Sequence, residues 1–210
     1  MRTAIVSDIH GNLEALKTVF IDIATRSVDR VICLGDLVEG GKYNDEVVEF
    51  IKNNQIQTVQ GNHDAINPCQ LKPVNQRWLD QLPTCFIEED IIFTHISPRK
   101  KKENIIDYIE AWNIFDETTY RLCFVGHLHF PCLYGSQCEF FGESQTYVVD
   151  HGRYDLALDN RYVICFGAIG YPRRGGLFIR YGIYDSKTHS LEFIKLEGTL
   201  LPYGLCEDLF

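Results

Sequence analysis

Apolar and polar positions along the first third of the chain fall in short blocks whose period switches between strand and helix. Ala4 to Ser7 reads as a buried strand, closed by the turn formers Gly11 and Asn12. Leu13, Leu16, Phe20 and Ile23 then recur at helical spacing, with Asn12 as cap and Glu14 in the first turn. Val31 to Leu34 is a second strand that stops at Gly35-Asp36. Asn44-Asp45-Glu46 opens a second helix with Val47, Val48 and Ile51 facing inward. Thr58-Val59 is a third strand, stopping at Gly61-Asn62-His63-Asp64. This βαβαβ order predicts parallel strands with helices packed on the sheet.

The middle of the chain is less regular. Pro68 and Pro73 bracket a loop, and a helix is expected from Val74 to Leu82. Phe86-Ile87 and Ile91-Ile92-Phe93 read as paired strands turned by Glu88-Glu89-Asp90, followed by Thr94-His95. A helix is expected from Glu103 to Phe115, with Ile105, Ile109 and Trp112 on one face. Leu122 to Val125 is the next strand, ended by Gly126-His127-Leu128-His129. From Pro131 the texture changes to short runs separated by Gly135-Ser136, Asp159-Asn160 and Asp185-Ser186. Tyr147–Val149, Tyr162–Ile164, Phe178–Tyr184 and Leu191–Leu196 suit antiparallel strands. With no linker, repeat or low-complexity segment, this part reads as a second sheet packed on the first rather than as a separate domain.

At 210 residues and 45% hydrophobic, the chain can bury a full core. A net charge of −9 argues against general affinity for nucleic acid or anionic membrane, so neither is expected as a partner. An acidic protein that acts on phosphate needs a strong local positive charge, which metal ions would provide. The eight cysteines form no Cys-x-x-Cys pair and several sit inside apolar runs, so reduced thiols acting as small hydrophobes are expected. The apolar opening is too short for a secretory signal, and no apolar run approaches the roughly 20 residues of a membrane helix. A cytoplasmic protein is expected.

The same event ends four strands: Ser7-Asp8-Ile9-His10, Gly35-Asp36, Gly61-Asn62-His63-Asp64 and Gly126-His127-Leu128-His129. Thr94-His95 is a related fifth. Residues two apart on extended chain share a side, so Asp8 and His10 would be presented together at the carboxyl end of a strand, where open α/β sheets bind ligands. Five of the seven histidines fall in these places, leaving His151 and His189 outside. A lone histidine at a strand end is equally well a structural residue, but five in one pattern would each need a separate explanation. The candidate ligands are Asp8, His10, Asp36, Asn62, His95, His127 and His129. Aspartate, asparagine and histidine donors without thiolates suit Mn, Fe or Zn. Seven donors exceed one ion's needs and fit two ions that share one donor. Two dications ~4 Å apart repel by roughly 16 kcal/mol at an effective dielectric of ~20. A bridging carboxylate and hydroxide offset much of that, and Asp36 is the natural bridge. Such a pair can clamp a phosphate and activate water for in-line attack.

These blocks resemble the calcineurin-like metallophosphoesterases, and within them the small prokaryotic phosphodiesterase-like branch. The family pattern is Asp-x-His, Gly-Asp-x-x, Gly-Asn-His-Asp/Glu, a lone His and Gly-His-x-His, and every block is present in order from Asp8 to His129. The resemblance implies an α/β fold: a four-layer α/β/β/α sandwich, two mixed sheets flanked by helices, with residues 1–210 as a single domain. It implies two divalent ions, manganese foremost and Fe, Zn, Ni or Co as alternatives. One would take Asp8, His10, Asp36 and His129; the other would take Asp36, Asn62, His95 and His127. It further implies a phosphate-ester substrate, attack by a metal-bridging hydroxide, and His63 as the general acid that protonates the leaving-group oxygen. The competing reading of His63 is a capping residue in a turn.

Two departures bear on substrate. The protein serine/threonine phosphatases of the family carry Gly-Asp-x-Val-Asp-Arg-Gly, where this chain has Gly35-Asp36-Leu37-Val38-Glu39-Gly40-Gly41. The phosphate-clamping arginine is missing, which weakens the phosphatase reading. Glu39 holds the place of the acid that orients the catalytic histidine; it is either that or a solvated carboxylate. The branch's Asn-x-Gly-Ser-Val-Gly-Gln-Pro-Arg segment becomes Cys165 to Arg173, keeping the glycines, Pro172 and Arg173. Arg173 is a candidate substrate contact or a surface arginine beside Arg174. The basic run Arg99 to Lys102 is a solvated loop or a rim that draws in anions. A phosphodiesterase is the leading expectation. A phosphomonoesterase, a protein phosphatase or a dinucleoside-polyphosphate hydrolase is the alternative within this chemistry. A catalytically silent protein-binding scaffold is the alternative outside it, disfavoured by a ligand set complete through His63. The oligomeric state is not legible.

Overall fold

The computed structural model describes residues 1–100, 107–173 and 177–201. Lys101, Lys102, Arg174, Cys206 and the first residues of the helix expected from Glu103 lie outside the described residues. In chain order the elements are β1 (Arg2–Val6), α1 (Leu13–Ile23), β2 (Arg30–Cys33), α2 (Asn44–Asn53), β3 (Gln57–Thr58), α3 (Asn62–Ala65), α4 (Pro73–Leu79), β4 (Cys85–Glu88) and β5 (Ile91–Thr94). There follow α5 (Tyr108–Glu117), β6 (Leu122–Val125), β7 (Pro131–Gly135), β8 (Gln145–Tyr147), β9 (Gly152–Asp155), β10 (Tyr162–Phe166), β11 (Ile179–Asp185) and β12 (Ser190–Leu196).

The strands form two six-stranded sheets, ordered β3-β2-β1-β11-β12-β9 and β4-β5-β6-β10-β7-β8. In the first, β1, β2 and β3 are parallel, joined by α1 and α2 as the opening pattern predicts, and β11 runs antiparallel to β1. In the second, β5, β6 and β10 are parallel, with β4 and β7 antiparallel to their neighbours. Both sheets are mixed.

The sheets stack face to face with helices outside, and the period of two along each strand assigns the layers. Ala4 and Val6 of β1 point outward to Leu16 of α1, Ile51 of α2 and Leu79 of α4, whereas Ile5 points to the second sheet. Cys123 and Val125 of β6 pack against Ala111 and Ile114 of α5, whereas Leu122 and Phe124 face inward. The layers are therefore α/β/β/α. Between the sheets Phe86, Phe93 and Phe124 stack in register, with centroids 4.7 and 5.2 Å apart, and Phe166 continues the row. Each fully buried ring contributes about 2 kcal/mol.

Three details differ from expectation. The chain halves do not correspond to the sheets: β9, β11 and β12 complete the first sheet, while β4 to β6 belong to the second. All but the last residue of β11 is buried, which suits an interior position between β1 and β12. Helix α5 starts where Asp107 caps the N–H groups of Ile109 and Glu110, and it buries Ala111, Ile114 and Phe115 instead of the face through Ile109 and Trp112. Strand β8 ends at Tyr147, and Val148 is 95% exposed. Among the described residues no helix is long and apolar enough to cross a membrane, and seven cysteines are free thiols.

Candidate metal centre

Strands β1, β2, β5 and β6 all deliver their carboxyl ends to one place, but the side chains do not arrive by strand alternation. Strand β1 stops at Val6, and Asp8 and His10 have φ of 56° and 50°. Asp36, Glu39, His127 and His129 share this left-handed region, with φ of 54°, 69°, 67° and 61°. For residues with a Cβ each such conformation costs roughly 1–2 kcal/mol, and strain of this kind collects at functional sites. Cross-loop hydrogen bonds hold it in place. The Asp8 N–H donates to the Gly35 carbonyl at 3.0 Å, and the N–H groups of Ile9 and His10 both donate to that of Asp36, at 2.8 and 3.0 Å. From below, the buried Asp64 carboxylate accepts from Asp36, Leu37 and Gly61 N–H at 2.9, 2.8 and 2.9 Å. Gly61 permits this closeness, since a Cβ there would lie 2.1 Å from Asp36 Oδ1.

One potential donor atom from each of Asp8, His10, Asp36 and His129 lies within 4.8 Å of the others, and the same holds for Asp36, His95 and His127. Asp36 belongs to both groups. Asn62 Oδ1 joins the second, 3.0 Å from His95 Nε2 and 2.8 Å from His127 Nδ1. All seven sequence candidates are therefore brought together.

The backbone fixes the imidazole tautomers. His10 Nδ1 faces the Glu39 carbonyl and His95 Nδ1 the Leu34 carbonyl, each at 2.7 Å, and His129 Nδ1 faces the Tyr171 carbonyl. A carbonyl only accepts, so Nδ1 carries the proton in each ring and Nε2 is turned into the site. The Nε2 atoms of His10 and His129 then oppose each other at 3.2 Å. Two lone pairs at that distance repel unless a cation lies between them. Asp36 Oδ1 accepts from the His63 N–H at 2.9 Å, whereas its buried Oδ2 has no hydrogen-bond partner, 3.1 Å from His95 Nε2 and 3.7 Å from His10 Nε2. A buried anionic oxygen that meets inward-turned imidazole nitrogens without a well-formed hydrogen bond fits a cation.

Charge follows the same logic. Burial opposes ionisation of Asp8, but His129, His95 and His10 outweigh it and hold the carboxyl well below the usual range. For Asp36 burial is likewise outweighed, chiefly by His95. Burial pushes His10 and His127 down to about 4, so both are neutral donors at pH 7. His95 is the exception: burial would lower it, but Asp36 and Asp8 raise it to about 9. Without a cation, His95 keeps a proton between Asp36 Oδ2 and Asn62 Oδ1, in the position where the donor set suits a metal. Asp64 is pushed up to about 6 by burial and by Asp36.

His63 stands at the edge of this cluster, its ring 5.0 Å from that of His10 and its Nδ1 2.8 Å from a Glu39 carboxylate oxygen. Glu39 is thus no solvated loop acid: its carbonyl holds one histidine and its carboxylate another. Arg173 is exposed, tied to the cluster by its backbone N–H on the His129 carbonyl at 3.3 Å. Arg99 pairs with Glu110 and Glu117, which places this end of the basic run on α5. His151 is exposed beside Asp150, outside the site, as its position in the sequence suggests. Asp64 and Tyr171 escaped the sequence reading. Asp64 had a signal, since it closes the Gly-Asn-His-Asp block. Tyr171 acts through its carbonyl, which no residue type reveals.

A two-sheet α/β sandwich with aspartates and histidines gathered at its strand tips defines the metallophosphoesterase class. The family model for the calcineurin-like phosphoesterase superfamily domain matches residues 1–174, and the chain belongs to that superfamily. An uncharacterized protein of Methanocaldococcus jannaschii is 34% identical over 244 aligned residues, covering 99% of this chain and 96% of that protein. A metallophosphoesterase from Sphaerobacter thermophilus has a similar structure, with a TM-score of 0.84 at 30% identity, covering 95% of this chain and 90% of the other. A novel archaeal phosphodiesterase shares the fold, with a TM-score of 0.54 at 20% identity over 93% of this chain and 100% of its own. The family and the aspartate–histidine cluster point to divalent metal binding and to hydrolysis of phosphate esters.

Proposed function

We propose that the protein is a binuclear metal-dependent phosphodiesterase. The observation that carries this reading is the sharing of Asp36 between two donor groups, with its Oδ2 unsatisfied. Asp8, His10, Asp36 and His129 would hold one divalent ion, and Asp36, Asn62, His95 and His127 the other, manganese being the first choice. When bound, the ions would neutralise phosphoryl charge and supply an activated water nucleophile. His63 gives the leaving-group oxygen its proton, and Glu39 keeps the donating ring edge turned toward the site through the bond at Nδ1. Arg173 reaches the non-bridging oxygens from the rim. A diester is favoured over a phosphoprotein because Gly40 occupies the place of the phosphatase arginine.

The test is metal removal with a chelator, then reconstitution with Mn²⁺, Fe²⁺, Ni²⁺, Co²⁺ or Zn²⁺, followed by assay on bis-p-nitrophenyl phosphate and p-nitrophenyl phosphate. Turnover of the diester above the monoester, restored by Mn²⁺, is expected. No turnover with any of these metals would overturn the reading.

A further inference from the structure

Beside the His10 loop lies a cleft of about 530 Å³, lined among others by Gly11, Gly40, Gly41, Tyr43, Thr199 and Leu201. Its walls are tied to the framework. The Tyr43 N–H donates to the Gly11 carbonyl at 3.2 Å and the Leu201 N–H to the Gly170 carbonyl at 3.1 Å, while Asn12 Nδ2 donates to the Thr199 carbonyl at 2.8 Å. The cleft is therefore preformed, as small-molecule sites usually are. It shares a wall with the metal centre: a carbon added at Gly40 would lie 3.3 Å from Leu201 Cδ1 and 3.4 Å from His10 Cβ. The residue before Gly40 is Glu39, which holds both His10 and His63.

The chemistry of the lining selects an occupant. Tyr43 is half-buried and offers an aromatic ring, with the Lys42 ammonium 5.0 Å from its centroid. Leu201 offers an apolar face, and Gly40 beside it adds no side chain to the space. Among the lining residues one cation, Lys42, and one anion, Glu14, balance. A second phosphate would need net positive charge there. A planar, uncharged ring system with polar edges does not. We propose that this cleft binds the planar organic substituent that stays on the phosphate when the ester is cut, a nucleobase or an aryl ring, while the phosphate sits at the metal centre. This assignment rests on the phosphodiesterase reading of that centre.

The experiment uses the full chain loaded with Mn²⁺ and three substrates: thymidine 5′-p-nitrophenyl phosphate, bis-p-nitrophenyl phosphate and methyl p-nitrophenyl phosphate. Stacking contacts of this kind give about a tenfold lower KM for the substrate whose ring enters the cleft. Two variants test the cause, Tyr43→Ala, which removes the ring, and Leu201→Trp, which fills the space; metal content and circular dichroism check their folding. Collapse of the KM ratio between the nucleoside and methyl esters identifies a nucleobase. Collapse of the ratio between the bis-aryl and methyl esters alone identifies an aryl ring. Three equal KM values in the wild type, or ratios untouched by both variants, would overturn the proposal. Absence of all diester turnover would sink the reading of the metal centre instead. Calorimetry with thymidine and with p-nitrophenol then decides the cleft: binding weakened by Leu201→Trp upholds it, and no binding of either overturns it.

Discussion

Asp36 occupies the hinge of the site: one carboxylate oxygen orders the His63 turn and the other is left facing the nitrogens of His10 and His95. Asp36→Asn should lower metal affinity by more than the ~10–100-fold typical of losing an outer-shell partner, read as metal retained after dialysis. His63→Ala should leave metal content unchanged and reduce kcat by about 10²–10⁴-fold, the usual worth of a general acid. Glu39→Ala keeps the carbonyl that holds His10 and removes only the carboxylate on His63. It should reduce kcat and alter the shape of its pH profile at constant metal content; an unchanged profile would remove the positioning role. The identity of these residues was legible in the sequence because aspartate and histidine recur at strand ends. How they converge was not. Asp8 and His10 meet through left-handed backbone rather than strand alternation, and the proton on each imidazole is set by carbonyls of Leu34, Glu39 and Tyr171 that residue type does not disclose.

Among the elements, the loop after β10 braces the loop after β1. Its Ile169 and Gly170 N–H groups donate to the Ser7 and Asp8 carbonyls at 3.0 and 2.9 Å, and a Cβ on Gly170 would lie 1.9 Å from the Ile9 carbonyl. Gly170→Ala must therefore push the Asp8–His10 loop away, with a loss of about 1–3 kcal/mol of stability, the usual cost of overpacking, and weaker metal binding. Denaturant unfolding with and without Mn²⁺ measures both. Cys165, Ala168 and Tyr171, which stand where the branch pattern has Asn, Ser and Gln, leave this backbone role untouched. The βαβαβ opening was legible because its blocks are long, periodic and joined locally. Strands β7 and β9, and the division of the later strands between sheets, were not. Their place depends on partners far along the chain, as in the pairing of β11 with β1.

For the molecule as a whole, a core built from two sheets supports a site that holds a proton at His95 where it lacks a cation. His95 binds its proton more tightly in the fold, at about 9 against an ordinary 6.5, so the stability it contributes is fully present below 6.5 and is lost as pH rises through 9. Between pH 7 and 9 the metal-free protein should lose about 2 kcal/mol, read as a Tm lower by roughly 4–8 °C. A bound dication displaces that proton, so the metal-loaded protein should show a much flatter dependence, and metal affinity should rise over the same interval. Equal slopes with and without metal would mean that the ion does not bind at His95. The most direct measurement is anomalous diffraction at the manganese edge from crystals soaked in Mn²⁺. Two peaks are expected, both ligated by Asp36, with Asp8 on one and His127 on the other. A single peak away from Asp36, or none, would contradict a binuclear centre and the phosphodiesterase built on it.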